Sequence, residues 1–217
     1  MNRRFESHLF WGVHSPLSTL TGMALIVLAS SRFAFALICA GALIWVYGLT
    51  ALIFSGARKI MPKSGKMLIL LFLSAFSCGI FMILTSLLNP LLIFGTGFFL
   101  FLIPPCLLGS GLIQSSMQAD LEETFSRAIL EAMALALLIV AFALIREPLG
   151  MGTLSFPGGP QGFFEIFGGA DEGSFVPVRL LSASAGGLLL LGYGTALFRY
   201  FRERNHSGSS DGYGEGA

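Results

Sequence analysis

The sequence predicts an all-α integral membrane protein with about six transmembrane helices. Of its 217 residues, 54% are hydrophobic and only 12% are charged, which is about half the charged fraction of an ordinary soluble domain. Long apolar segments recur along the chain, as expected of helices that cross the hydrocarbon core of a bilayer. The basic residues between them fall mostly on one side of the predicted membrane. Together these observations predict a helical bundle embedded in lipid.

Five apolar segments approach the length of about 20 residues that a membrane-spanning helix needs. They are Phe33–Phe54, Met67–Leu88, Leu91–Ile113, Ala128–Ile145 and Leu180–Phe198. An earlier segment, Leu17–Ala29, has only 13 residues, which rise about 20 Å as a helix. It is therefore predicted to be either a tilted span that begins near Trp11 or a half-helix shielded by its neighbours.

Basic residues predict the orientation of the bundle. If both termini are cytoplasmic, ten Arg and Lys residues lie inside and three, Arg32, Arg146 and Arg179, lie outside. This is the asymmetry of the positive-inside rule. Six spans keep both basic termini on one side, whereas five or seven would place them on opposite sides. The predicted divisions are a cytoplasmic segment (1–14), a membrane domain (15–204) with an outer Gly-rich loop (146–179), and a disordered cytoplasmic tail (205–217). The expected location is the cell (inner or plasma) membrane.

Two segments are predicted to be interrupted helices. Pro104-Pro105 falls inside the fourth segment, where proline removes backbone donors and should break the helix. Ser15-Pro16 opens the short first segment much as Asn89-Pro90 opens the fourth. Segments one and four enter from opposite sides, so the pattern predicts a 3+3 inverted repeat with interrupted helices one and four. In such folds the interruptions mark a site near the middle of the membrane.

Few side chains in the sequence indicate a catalytic or ligand-binding role. No Lys/Arg-rich run supports nucleic-acid binding, and no Ser/His/Asp set, P-loop or dinucleotide-binding motif supports a soluble type of enzyme. Cys39, Cys78 and Cys106 are too widely spaced for a CxxC site, and buried free thiols are the simplest interpretation. Cys106, beside the Pro-Pro break, has the best case as a ligand. Glu131 is either a carboxylate that reaches the membrane surface or a functional group within the membrane.

One segment resembles a family signature. Ile145–Leu154 reads I-R-E-P-L-G-M-G-T-L and resembles the I-R-E-x-x-G-x-G-T-L pattern of the Rnf/Nqr membrane subunits. These are paired six-helix subunits of ion-translocating electron-transport complexes. Weaker similarities follow in the same order, at Ser15–Leu25, Arg58–Pro62, Pro105–Ser110 and Ser184–Gly187. The N-terminal extension and the basic tail resemble the RnfE/NqrD type more than the RnfA/NqrE type.

The resemblance implies a non-autonomous subunit of a redox-driven translocase, coupling electron transfer to movement of Na⁺ or H⁺. Its partners would be a homologous membrane subunit of the same fold and the other subunits of the complex. In the family, a cysteine from helix one and another from helix four help to hold an iron–sulfur cluster shared by two subunits. Here Cys106 matches the helix-four cysteine, but Ala24 stands at the helix-one position. This implies an incomplete metal site, or a degenerate paralogue with a structural role.

The sequence allows a second interpretation of the Arg146–Glu147 pair and a second function. Arg146 and Glu147 are either a surface pair at the membrane interface or, as the resemblance implies, a structural anchor together with Gly150 and Gly152. The alternative function is a small inverted-repeat transporter or channel-like membrane protein.

Overall fold

The computed structural model describes residues 20–57, 65–109, 121–159, 162–166 and 179–207, and these are largely helical. The helices are α1 (Leu20–Ala29), α2 (Phe33–Ala57), α3 (Lys66–Leu88), α4 (Pro90–Leu100), α5 (Ile103–Gly109), α6 (Leu121–Met151) and α7 (Ser184–Ser207). Strands β1 (Ser155–Pro157) and β2 (Phe163–Glu165) follow α6, and a 3-10 turn, Arg179–Ser182, precedes α7. The predicted segment 1–14, most of the tail 205–217 and the basic residues 58–63 lie outside these ranges.

Four helices in the described ranges are long and apolar enough to cross a membrane. They are Phe33–Ala57, Lys66–Leu88, the joined unit Pro90–Gly109, and Thr124–Met151. A shorter apolar stretch, Ser184–Leu197, belongs to α7. The predicted character of a multi-pass helical membrane protein is confirmed at this level.

Helix α2 lies at the centre of the fold. It packs against α1, α3, α4, α5 and α6, and its contact with α6 is the most extensive. Gly48 permits the close approach of α2 and α6, because a Cβ atom there would lie 3.1 Å from Cδ1 of Ile129. Leu43 and Val46 of α2 share the buried core with Leu107 of α5 and Ile139 of α6. The central position of α2 makes it the element around which any interior site is built.

Helix α3 buries only one face. Its buried residues are Leu70, Ser74, Ser77 and Cys78, a spacing that places them along one side of the helix. Large apolar side chains on the rest of its surface are exposed, among them Phe72 and Phe76. Such a surface suits contact with lipid rather than with water.

The interruption of the fourth segment falls just before the two prolines. The sequence placed the break at Pro104-Pro105, whereas α4 ends at Leu100 and α5 begins at Ile103. The prolines therefore occupy the first turn of α5, where the missing N–H groups would have no intrahelical partner in any case. The carbonyl of Leu100, which a helical residue 104 would have bonded, accepts a hydrogen bond from Cys78 Sγ at 3.3 Å.

Loss of the Cys78 thiol should therefore destabilise the bundle. Cys78→Ala removes the donor to the buried Leu100 carbonyl, and the expected cost is about 1–3 kcal/mol. Cys78→Ser keeps a donor and should lie close to wild type. Thermal unfolding of the purified protein in detergent measures both. Cys39→Ala is the matched control for loss of a buried sulfur atom, and an equal loss of stability in that variant would contradict the assigned role.

A β-hairpin covers one end of the bundle, which we call the hairpin end. Strands β1 and β2 pair antiparallel, with Phe156 opposite Phe164. Residues 163–165 can form the second strand because Gly158 and Gly159 adopt φ values of +141° and +80° and reverse the chain.

The hairpin packs on the ends of two helices. The ring centroid of Phe156 lies 5.1 Å from that of Phe33 in an edge-on arrangement, which ties β1 to the start of α2. Gly162 has a φ of +90°, and a Cβ atom there would lie 3.1 Å from the backbone nitrogen of Leu92 in α4. The hairpin thus fixes the relative positions of α2 and α4.

Candidate functional site

Arg146 and Glu147 are consecutive residues near the hairpin end of α6, and both are buried. Arg146 is 2% exposed and Glu147 is 0% exposed. Burial of a charged side chain is costly unless its polar atoms are satisfied by other groups. This burial rules out the surface-pair interpretation, so the atoms that these two side chains bind decide their role.

The guanidinium group of Arg146 makes five hydrogen bonds, as many as arginine has N–H donors. Nη1 donates to the carbonyl of Val27 and to Ser30 Oγ at 3.1 Å. Nε and Nη2 donate to the carbonyls of residues 181–183 at 2.8, 3.3 and 3.0 Å. These acceptors belong to the C-terminal turn of α1 and to the 3-10 turn before α7. A cation is favourable at such ends, where unpaired carbonyls concentrate negative potential.

Glu147 binds the opposite kind of helix end. Its Oε2 accepts a hydrogen bond of 2.6 Å from the backbone N–H of Phe33 at the N-terminus of α2. Its Oε1 accepts one of 2.9 Å from the N–H of Ser155 in β1. Ser155 Oγ in turn accepts a bond of 3.4 Å from the N–H of Ala34. A carboxylate at a helix N-terminus satisfies free N–H groups and opposes the helix dipole.

Together the two side chains join five elements at the hairpin end, and we call them the Arg146–Glu147 staple. The C-terminus of α1 and the N-terminus of α2 are separated only by the turn at Ser30–Arg32. Arg146 holds the first end and Glu147 holds the second. Because each charge has the sign that its helix end favours, one dipeptide of α6 fixes α1, α2, β1 and the start of α7.

Glycines make room for the staple. A Cβ atom at Gly150 would lie 2.9 Å from the backbone nitrogen of Ser182, and one at Gly187 would lie 2.9 Å from Arg146 Cζ. A Cβ at Gly186 would collide with the carbonyl oxygen of Leu180. Gly152, with a φ of +69°, follows the last residue of α6, where glycine commonly ends a helix.

All four motif residues named from the sequence, Arg146, Glu147, Gly150 and Gly152, therefore lie in one place. The sequence reasoning did not identify Gly186 and Gly187 as members of this site. The G-G pair before an apolar helix was a signal that could have found them, since paired glycines often mark close backbone approach.

A second ionic contact attaches the hairpin to α2. Arg32 Nη1 lies 3.2 Å from Glu165 Oε1, with side chains 27% and 36% exposed. The guanidinium carbon of Arg32 also lies 4.2 Å from the ring centroid of Phe163. Exposed pairs of this kind contribute little to stability, so this contact is secondary to the staple.

Cys106 is in the interior of the bundle rather than on its surface. Its side chain is 0% exposed, and its Sγ accepts a hydrogen bond from the hydroxyl of Tyr47 on α2 at 3.9 Å. Cys39 and Cys78 belong to the same buried core cluster as Cys106, so the fold brings three thiols that are distant in sequence into one core. Ala24, at the matching position on α1, is only partly buried. Within the described ranges, no group of three or more His, Cys, Asp or Glu side chains is placed to hold a metal ion.

Glu131 of α6, which the sequence left as either a group that reaches the membrane surface or a functional group within the membrane, is partly buried. One of its carboxylate oxygens is enclosed by protein.

No protein-family model matches the chain, and no curated protein sequence matches it. The functional interpretation therefore rests on the geometry of the chain and on the resemblance in its sequence.

Proposed function

We propose that the chain is a membrane subunit of an Rnf/Nqr-like complex of the RnfE/NqrD type, which couples electron transfer to Na⁺ or H⁺ translocation. The observation that carries the proposal is the Arg146–Glu147 staple. The residues that resemble the family signature have a physical task in this chain, since Arg146 satisfies the end of α1 and Glu147 satisfies the start of α2. A motif that holds the ends of interrupted helices together is expected in other proteins that share this architecture.

The proposed architecture has six spans in two inverted three-helix halves. The α4–α5 unit is interrupted at residues 101–102. Helix α1 contacts both α4 and α5, so the first helix and the broken helix are neighbours. This arrangement supports an inverted repeat, with both termini cytoplasmic and the hairpin end outside.

The side chains of this subunit fit poorly to a shared iron–sulfur cluster. Such clusters are normally held by four thiolates, and a cluster between two chains needs ligands that point toward the partner. Cys106 is enclosed in its own bundle and bonded by Tyr47, and Ala24 has no donor atom. We propose that this chain serves as a structural paralogue within the complex and does not complete the cluster.

Copurification tests the proposed function. The tagged chain, expressed in its own host and extracted in mild detergent, should retain a second hydrophobic subunit of the same fold together with flavin- or iron–sulfur-bearing subunits. Arg146→Gln should lose these partners. Arg32→Gln, which alters only the contacts of Arg32 with Glu165 and Phe163, should retain them. Recovery of the wild-type chain without any other subunit would overturn the proposal.

A small inverted-repeat transporter is the second candidate. It is favoured by the polar groups enclosed between α2, α3 and α6, since polar side chains within a membrane often mark a substrate or ion pathway. The two candidate functions differ in whether the chain can act without other subunits. A transporter should move its substrate when the chain alone is reconstituted into vesicles, whereas a subunit should require its complex.

A further inference from the structure

The β-hairpin presents large apolar side chains on its surface. Side chains alternate between the two faces of a strand, so Phe164 and Ile166 lie on one face and Phe163 and Glu165 on the other. Phe164 is 49% exposed and Ile166 is 51% exposed. The ring of Phe164 also stacks on that of Phe156 in β1, with centroids 6.0 Å apart. Contiguous apolar surface of this kind marks contact with a protein or a membrane.

The hairpin lies at the level of the turn between α3 and α4. Asn89, which separates the two helices, donates a long hydrogen bond of 3.5 Å from Nδ2 to the carbonyl of Gly159. The last two residues of α3, Leu87 and Leu88, are 79% and 87% exposed. Placing the membrane boundary below these leucines would leave both side chains in water, which is unfavourable. The apolar region around the bundle therefore extends to the level of the hairpin.

A row of phenylalanine rings joins the hairpin to the exposed surface of α4. The ring centroid of Phe163 lies 6.3 Å from that of Phe35 on α2. The row continues from Phe35 to Phe99 at 6.2 Å and from Phe99 to Phe98 at 6.3 Å. Phe98 is exposed, as is Phe94 one turn earlier, and both belong to a unit that is long and apolar enough to cross a membrane. This continuity identifies lipid as the partner of the hairpin.

Polar groups of the hairpin limit how deeply it can lie. A two-stranded sheet has backbone groups on its outer edges, and such groups cannot face hydrocarbon without polar partners. The pair of Arg32 and Glu165 is partly exposed on the hairpin, and arginine keeps its charged group in a polar environment while its stem covers apolar surface. The boundary between lipid headgroups and acyl chains satisfies both the polar and the apolar groups.

We propose that the hairpin inserts into the headgroup–acyl boundary of a phospholipid leaflet. Phe164 and Ile166 contact the acyl chains, and the Arg32–Glu165 pair lies among the headgroups. Insertion removes exposed apolar surface from water, which is the driving force for interfacial segments in general. It also anchors to the bilayer the end of the bundle that the Arg146–Glu147 staple holds together. The proposal rests on the membrane character of the chain and not on membership of an electron-transport complex.

Fluorescence quenching by brominated lipid tests the depth of the hairpin. Both native tryptophans, Trp11 and Trp45, are replaced by phenylalanine, and Phe164→Trp or Ile166→Trp supplies a single reporter in phosphatidylcholine vesicles. Bromine placed on the acyl chains near the headgroup should quench either reporter more than bromine near the methyl ends. Aqueous iodide on both sides of the membrane should quench them little. Phe98→Trp is the control.

The control reporter should show the reverse preference for the two brominated lipids. Phe98 lies eight residues into α4, which is about 12 Å along the helix. Quenching of the hairpin reporters by iodide and by neither lipid would show that the hairpin projects into water, and this would overturn the proposal. Protection from iodide and from both lipids would overturn it too, because protein would then cover the hairpin. The two hairpin variants report independently, so loss of folding in one leaves the test in place.

Discussion

Replacing Arg146 by glutamine should remove most of the stability of the hairpin end. The variant loses the group that makes all five hydrogen bonds to the ends of α1 and the 3-10 turn. Because hydrogen bonds from a charged group contribute about 1.5–3 kcal/mol each and five are lost, the expected loss is at least about 3 kcal/mol. Arg146→Lys should not retain this stability, since a single ammonium group cannot reproduce the planar, five-donor geometry of a guanidinium.

Thermal unfolding in detergent, together with the yield of monodisperse protein, measures this effect. Arg32→Gln is the control, because it removes an arginine at the same end of the bundle whose ion pair with Glu165 is exposed and is worth no more than about 1 kcal/mol. If Arg146→Gln and Arg32→Gln cost the same, the staple does not hold the helices as described.

Adding a methyl group at Gly186 or Gly150 should be nearly as damaging. A Cβ at Gly186 would overlap the carbonyl oxygen of Leu180, and one at Gly150 would lie 2.9 Å from the backbone nitrogen of Ser182. A flexible side chain can rotate away from an added methyl group, but backbone atoms cannot. Gly186→Ala and Gly150→Ala must therefore displace the 3-10 turn from α6 and α7. The expected cost of this overpacking is about 1–3 kcal/mol or more.

Two other helical glycines provide the control. At Gly79 and Gly192, no neighbouring atom in the described ranges lies within 4 Å of the position that a Cβ atom would take. Gly79→Ala and Gly192→Ala should therefore leave stability unchanged or raise it by up to about 1 kcal/mol. The same thermal assay compares the four variants. Wild-type stability in Gly186→Ala would show that α7 does not approach the 3-10 turn as closely as described.

The sequence predicted the apolar helices well because the composition that identifies each helix lies within its own segment. The predicted Phe33–Phe54 and Met67–Leu88 correspond to α2 and α3 within a few residues, since composition and length alone decide whether a segment suits a bilayer. Boundaries that depend on tertiary contacts were less accurate. Helix α6 begins at Leu121 and continues past Pro148 to Met151, well beyond the predicted Ala128–Ile145.

The staple could be named from the sequence but its geometry could not be derived. The partners of Arg146 lie 35 and 119 residues away along the chain, and no periodic pattern encodes contacts at such separations. The position of the helix break was wrong for a related reason. Proline signals a break nearby, but whether the break precedes or follows it depends on where the freed carbonyls find donors, and here Cys78 supplies one for Leu100.

Gly95 and Gly97 of α4 serve packing within the chain. Cβ atoms there would lie 2.9 Å from Phe35 Cζ and 3.3 Å from Met82 Cε.

Electron cryomicroscopy of the complex extracted from native membranes tests the central claim most directly. We expect this chain to lie beside a second subunit of the same fold, related to it by an axis in the membrane plane. Within this chain, the Arg146 guanidinium should lie on the carbonyls of Val27 and residues 181–183. A particle that contains only this chain, or one in which Arg146 faces lipid while α1 and α7 are held by other contacts, would contradict it.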